Sequence, residues 1–153
     1  MKLAEALLLR ADIQKKLESL RERINKNTVI QEGEKPSEDP NALLEQVIAI
    51  SGQLKKLVFA INEANFTGRT SNGRTLTEAL AERDSLVLRH SIVQAAASSA
   101  AKPPERYGVK EIRWVKTVDV AGLQKSTDEL AKEIRELNAE IQAANWQVDL
   151  KGV

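Results

Sequence analysis

Cysteine is absent from this 153-residue chain, which excludes a disulfide framework, a thiolate nucleophile and a Cys-ligated zinc, and suits a reducing compartment. Aromatic residues are scarce, at 3%. An excess of one charge is missing as well: 23 Lys and Arg stand against 22 Asp and Glu, so no global field draws in nucleic acid or an anionic membrane. No run reaches the roughly 20 apolar residues that a spanning helix requires. Glu5, Arg10 and Asp12 interrupt the apolar start before it could serve as the core of a leader peptide. The expectation is a cytoplasmic protein with neither nucleic acid nor membrane as a partner.

The usual marks of chemistry are missing too. There is no Gly-rich phosphate loop, no Gly-x-Ser-x-Gly elbow, no Glu-x-x-His pair and no His-Glu-x-x-His. His90 stands alone, which removes every mechanism that needs two imidazoles. The sequence therefore assigns no catalytic residue, no metal and no cofactor, and an enzyme is the less supported reading.

What is present is the composition of long helices, with 29% charged residues and much Leu, Ala, Glu, Lys and Arg. Leu3, Ala6, Arg10, Ile13, Leu17, Leu20 and Ile24 follow one another at steps of three and four, a heptad seam that predicts a helix over about 2–27. Residues 28–39, with Gly33, Pro36 and several acids, have no helical period and form a connection. Asp39 followed by Pro40 is a strong start signal, because the Asp carboxylate accepts a free amide and Pro at the first helical position loses none. The second helix then covers about 40–65, with a seam of Leu44, Val47, Ser51, Leu54, Val58, Ile61 and Asn65 that Leu43, Ile50 and Leu57 broaden.

Asn72-Gly73 is the pair that type I′ turns favour, so Phe66–Arg74 reads as a short β-hairpin. Thr75 and Glu78 make a capping box that opens a third helix over about 75–101, whose end is almost all Ala and Ser. Lys102–Gly108, with its two prolines, is a linker. After it, 109–118 reads as a strand with Ile112, Trp114 and Val118 on one side. Asp119 caps a final helix over about 119–147, in which Leu123, Thr127, Leu130, Ile134, Leu137, Ile141, Ala144 and Val148 carry the clearest seam in the chain.

These elements predict one domain over 1–153. It is mainly α, an antiparallel helical bundle with long, coiled-coil-like helices of about 37 Å and one short β segment or hairpin. The narrow seams on the first and last helices pair with each other or with a second copy, so a homo-oligomer, a dimer or higher, is expected. A lone strand needs a partner, and the same strand of another subunit would make Ile112, Trp114 and Val118 an oligomer contact.

Several segments carry a resemblance. Met1–Arg10, Gln31–Pro40, Thr75–Asp84 and Glu111–Leu130 are similar to a family of small uncharacterised bacterial proteins often labelled septicolysin, across nearly the whole chain. The resemblance implies a helical fold in a bacterial cytoplasm and no residue with a known role. The label itself implies a membrane-active toxin, a reading that would call for a long amphipathic hairpin of alternating residues, which the sequence does not show.

Three sets of residues are candidates for a site. Arg83 and His90 are seven apart and share a helical face; with Asp84, and Arg10 on the first helix, they form either an anion or ligand site or a polar network that fixes helix register. Arg69, Asn72 and Arg74 surround the turn, as an anion-binding loop or as solvated surface. Ile112, Trp114 and Val118 are the oligomer contact. Three functions follow: a self-assembling structural or interaction module, a small enzyme or ligand-binding protein using the Arg83, Asp84 and His90 face, and a membrane-active toxin.

Overall fold

The computed structural model describes residues 1–102 and 114–152. Among them stand four helices, α1 (Leu3–Asn27), α2 (Pro40–Thr67), α3 (Leu76–Ala101) and α4 (Val120–Gln147), with two isolated antiparallel bridges and no sheet. The expected helices are all present, with ends displaced by a residue or two. The β segment expected over 109–118 is not shown: residues 109–113, Ile112 among them, lie outside the described residues, and 114–118 has no strand. The helices form two compact units, Met1–Leu76 with Gln142–Val153, and Thr77–Ile141.

The first unit is an α1–α2 hairpin closed at one end by the tail of α4. Leu20, Leu43 and Ile50 are buried together, and Ile13, Leu17, Ile24 and Val47 pack against them. The connection between the helices is tied down by Asn27, which is buried. Its carboxamide oxygen accepts from the Ser37 hydroxyl at 2.9 Å and from the Glu38 amide at 3.1 Å, while its nitrogen donates to the Arg23 carbonyl at 2.9 Å. Arg23 also binds the Glu38 carboxylate through both Nε and Nη2, a fork that holds the start of α2 against the end of α1. Asp39 accepts from the Asn41 amide, as its place before Pro40 predicts.

At the opposite end, Leu3, Ala6, Ile61, Ala64, Leu76, Ala144 and Leu150 are all buried. The tail after α4 runs antiparallel to the first residues: the Leu3 amide donates to the Val148 carbonyl, and the Leu150 amide to that of Met1, each at 2.9 Å. The Lys2 ammonium donates to the Gln147 carbonyl and to Asp149, so it satisfies the C-terminal end of α4. Glu5 reaches back to the Lys2 amide at 2.7 Å, half of a capping box, since an ammonium cannot accept in return. Gly68 is required here by space, because a Cβ on it would stand 2.6 Å from the Ala64 carbonyl oxygen and 2.9 Å from a Val148 methyl.

Between α2 and α3 the chain makes the smallest possible hairpin, the single bridge Arg69–Thr75. The turn differs from the one expected. Asn72 keeps a negative φ and only Gly73 is positive, at 81°, with Gly73 donating to the Thr70 carbonyl and Thr70 to that of Arg74. That pattern is a type I turn followed by a left-handed glycine, a three-residue loop in place of the two-residue I′ turn. α3 begins at Leu76, which places Thr75 at the cap position and Glu78 at the third helical residue.

The second unit holds α3 from Thr77 and α4 as far as Ile141. Ala79, Leu86 and Ala97 are its buried residues on α3, and Thr127, Leu130, Leu137 and Ile141 those on α4. Every residue of the predicted α4 seam is buried or half-buried. The polar Thr127 fits because its hydroxyl donates to the Leu123 carbonyl one turn earlier.

Candidate functional site

Helix α2 has two apolar faces. One, carrying Leu43, Ile50, Leu57, Ile61 and Ala64, is buried. The other carries Leu44, Ile48, Phe59 and Phe66 and lies open, with Ile48 72%, Phe59 72% and Phe66 73% exposed. At about 100° per residue, Ile48 and Phe59 are three turns apart and Phe59 and Phe66 two, so the three form one stripe on the side away from the core. A helix apolar on both sides is expected between two neighbours.

The stripe adjoins a cleft of about 550 Å³ between α1 and α2. Leu17, Ile24, Leu44 and Val47 form its floor, and Gln14, Glu18, Arg21 and Asn25 of α1 its polar rim. Leu44 belongs to both surfaces. Arg21 and Glu18 of the rim form an exposed ion pair at 3.6 Å, and what the two surfaces offer is apolar contact area with a charged border.

All four aromatic residues among the described ones lie outside the core: Phe59, Phe66, Trp114 at 74% and Trp146 at 55% exposure. On α3 the large apolar Leu88 and Ile92 are more than half exposed as well. Isolated exposed apolar residues are ordinary, but a stripe holding every phenylalanine of the chain is not.

The candidates from sequence are placed as follows. Arg83 and His90 alternate with Leu86, Val93 and Ala97 at steps of three and four, so both stand half-buried on the packing face of α3. Arg83 is paired through Nε and Nη2 with one oxygen of the adjacent Asp84, an exposed residue. Arg10 is half-buried between Ala6 and Ile13, and its Nε is shielded from solvent without a hydrogen-bond partner. Arg69 donates to the Gly73 carbonyl across its own turn, at 3.3 Å, and Asn72 is exposed at the tip. Arg74 is half-buried beside the bridge. Trp114 and Val118 are exposed, and Ile112 lies outside the described residues.

Two shifted pKa values accompany the ties in the first unit. The hydrogen bonds from Arg23 hold the Glu38 carboxyl below the usual range, outweighing the partial desolvation that opposes them, and Arg23 is raised in turn. Asp149 is lowered by its hydrogen bond from Lys2, again against partial desolvation. These residues, with Asn27, are structural ties that the periodicity of the sequence did not signal. The outer α2 stripe was missed too, although a signal existed: residues 43 to 66 have apolar side chains at spacings that fill both faces.

The arrangement is that of a helical protein whose described residues carry surfaces for contact and no catalytic constellation. The chain belongs to a family of unknown function, DUF6847, whose model matches residues 10–150. It is also similar, at 34% identity and a TM-score of 0.90 over 99% of each chain, to a crystal structure of a functionally unknown conserved protein from Corynebacterium diphtheriae. No curated protein matches it. Nothing in these comparisons supports a septicolysin label or a toxin role. Among the described residues no helix is long and apolar enough to cross a membrane, and no group of three or more His, Asp or Glu could hold a metal ion.

Proposed function

We propose that this chain is a structural or interaction protein that assembles with copies of itself through its helices. The observation that carries the reading is the exposed apolar stripe of α2, with Trp114 and Trp146 also at the surface. Ile48, Phe59 and Phe66 left in water forgo stabilisation of about 1.5–3 kcal/mol each that burial would supply. Association recovers it. Trp114 and Val118, both exposed, offer a second contact.

The test is the absolute mass in solution, by light scattering behind a sizing column, across a range of micromolar concentrations. A defined oligomer is expected, and a monomer throughout the range overturns the reading. Repeating the measurement with Trp114→Ser separates the contacts: dissociation by this change assigns the interface to residues 114–118, and an unchanged mass removes them from it.

A further inference from the structure

We infer that the outer face of α2 is a two-fold interface, on which α2 of a second copy of this chain lies antiparallel with Phe59 at the axis. The inference rests on the self-assembly proposed above and names its surface.

Three features of the stripe match themselves under that operation. A two-fold axis beside Phe59 sets residue i against the partner's residue at about 118 minus i, so Phe59 meets its own copy and Phe66 falls on Ser51 and Gly52 of the other chain. Those are the small residues of the stripe. A Cβ placed on Gly52 would meet nothing within 4 Å, so the space over it is open to a phenyl ring. Aromatic side chains seated over small ones give the close helix approach that a stable contact needs.

Charge is the second match. Lys56 lies on one border of the stripe before Phe59 and Glu63 lies on the same border after it, both exposed and neither in an ion pair within the described residues. In an antiparallel pair, like borders face each other, and Lys56 of each chain meets Glu63 of the other twice across the axis. In a parallel two-fold pair opposite borders face each other, so Lys56 and Glu63, which share one border, would not meet across the contact.

The third is polarity within the stripe, where Lys55, one turn before Phe59, falls near Asn62 of the other chain, whose amide oxygen accepts from an ammonium. Nothing on the stripe opposes like charge to like under the antiparallel operation.

The experiment uses the full chain and reads mass by light scattering and helix content by circular dichroism. Phe59→Glu is expected to reduce the assembly to a smaller species, a 16.9 kDa monomer if this is the only contact, with unchanged helix content because the side chain is exposed. Lys56→Glu alone and Glu63→Lys alone should each raise the dissociation constant about three- to tenfold, by placing like charges together twice per dimer. The two changes combined should restore it. An oligomer whose mass F59E leaves unaltered overturns this interface while self-assembly stands. A wild-type monomer overturns both. Dissociation by F59E with no restoration in the double variant overturns the antiparallel register.

Discussion

The carboxamide of Asn27 serves three partners at once, two on the connection after α1 and one on α1 itself. A buried amide in that role cannot be replaced by a methyl group without taking the partner from two donors and one acceptor, so Asn27→Ala should cost about 1–3 kcal/mol, read from urea unfolding. Gly68→Ala, in which the new methyl meets both the Ala64 carbonyl and Val148, should cost about 1–3 kcal/mol through the shift it forces. The two lowered carboxyls set a pH dependence with a definite sign. Their folded pKa values lie below the unfolded ones of about 4, so their stabilisation is complete above that range and is lost as pH falls through the folded values. The urea midpoint should be flat between about pH 5 and 8 and fall below about pH 4, and Glu38→Gln should make that fall shallower.

At the scale of the helix, what a sequence can show depends on how many faces the helix buries. α4 was legible in full: its apolar residues form one stripe, and all eight predicted seam positions turned inward. α1 was nearly so, with Leu3, Ala6 and Leu20 buried and Arg10 the polar intruder. α2 was read in part. Of its predicted seam Ile61 is buried and Val47, Leu54, Val58 and Asn65 are half-buried, but Leu44 and Ser51 are exposed, while the positions taken only as a broadening, Leu43, Ile50 and Leu57, are all buried. Periodicity locates apolar faces but does not rank two of them, and α2 has two. The capping signal at Asp39-Pro40 was local and therefore readable, whereas the ties from Asn27 and Arg23 to Ser37 and Glu38 join residues ten to fifteen apart and leave no period behind. A direct check on the assignment of faces is a pair of truncations on α1 and α2. Leu20→Ala should cost about 2–5 kcal/mol by opening a cavity. Ile48→Ala on the open face should cost under about 0.5 kcal/mol at concentrations where the chain is dissociated, and more as it assembles.

For the molecule as a whole, the two ends of the chain are one structural device. Lys2 and Leu3 are paired with Gln147, Val148 and Asp149, and Leu150 is buried beside them, so the first unit is complete only when the last residues have arrived. Ending the chain at Gln147 would leave the Leu3 amide without its acceptor and remove the buried Leu150 side chain. The expected result is a clear drop in the melting temperature by circular dichroism, and an unchanged one would show the tail to be dispensable. The candidate sites were less legible than the fold for a physical reason. Polar residues on an inward helical face, such as Arg83 and His90, have the same spacing whether they bind a ligand or lock two helices in register.

The surface position of Trp114 and Trp146 has an optical consequence. Both indoles already face water, so their emission should lie near that of free tryptophan and iodide should quench it in the native state. Thermal unfolding would then pass almost unseen by intrinsic fluorescence while far-ultraviolet dichroism records it in full. A blue shift on raising the concentration would report an indole entering a contact, which makes the chain its own unlabelled sensor for any surface that covers residue 114 or 146.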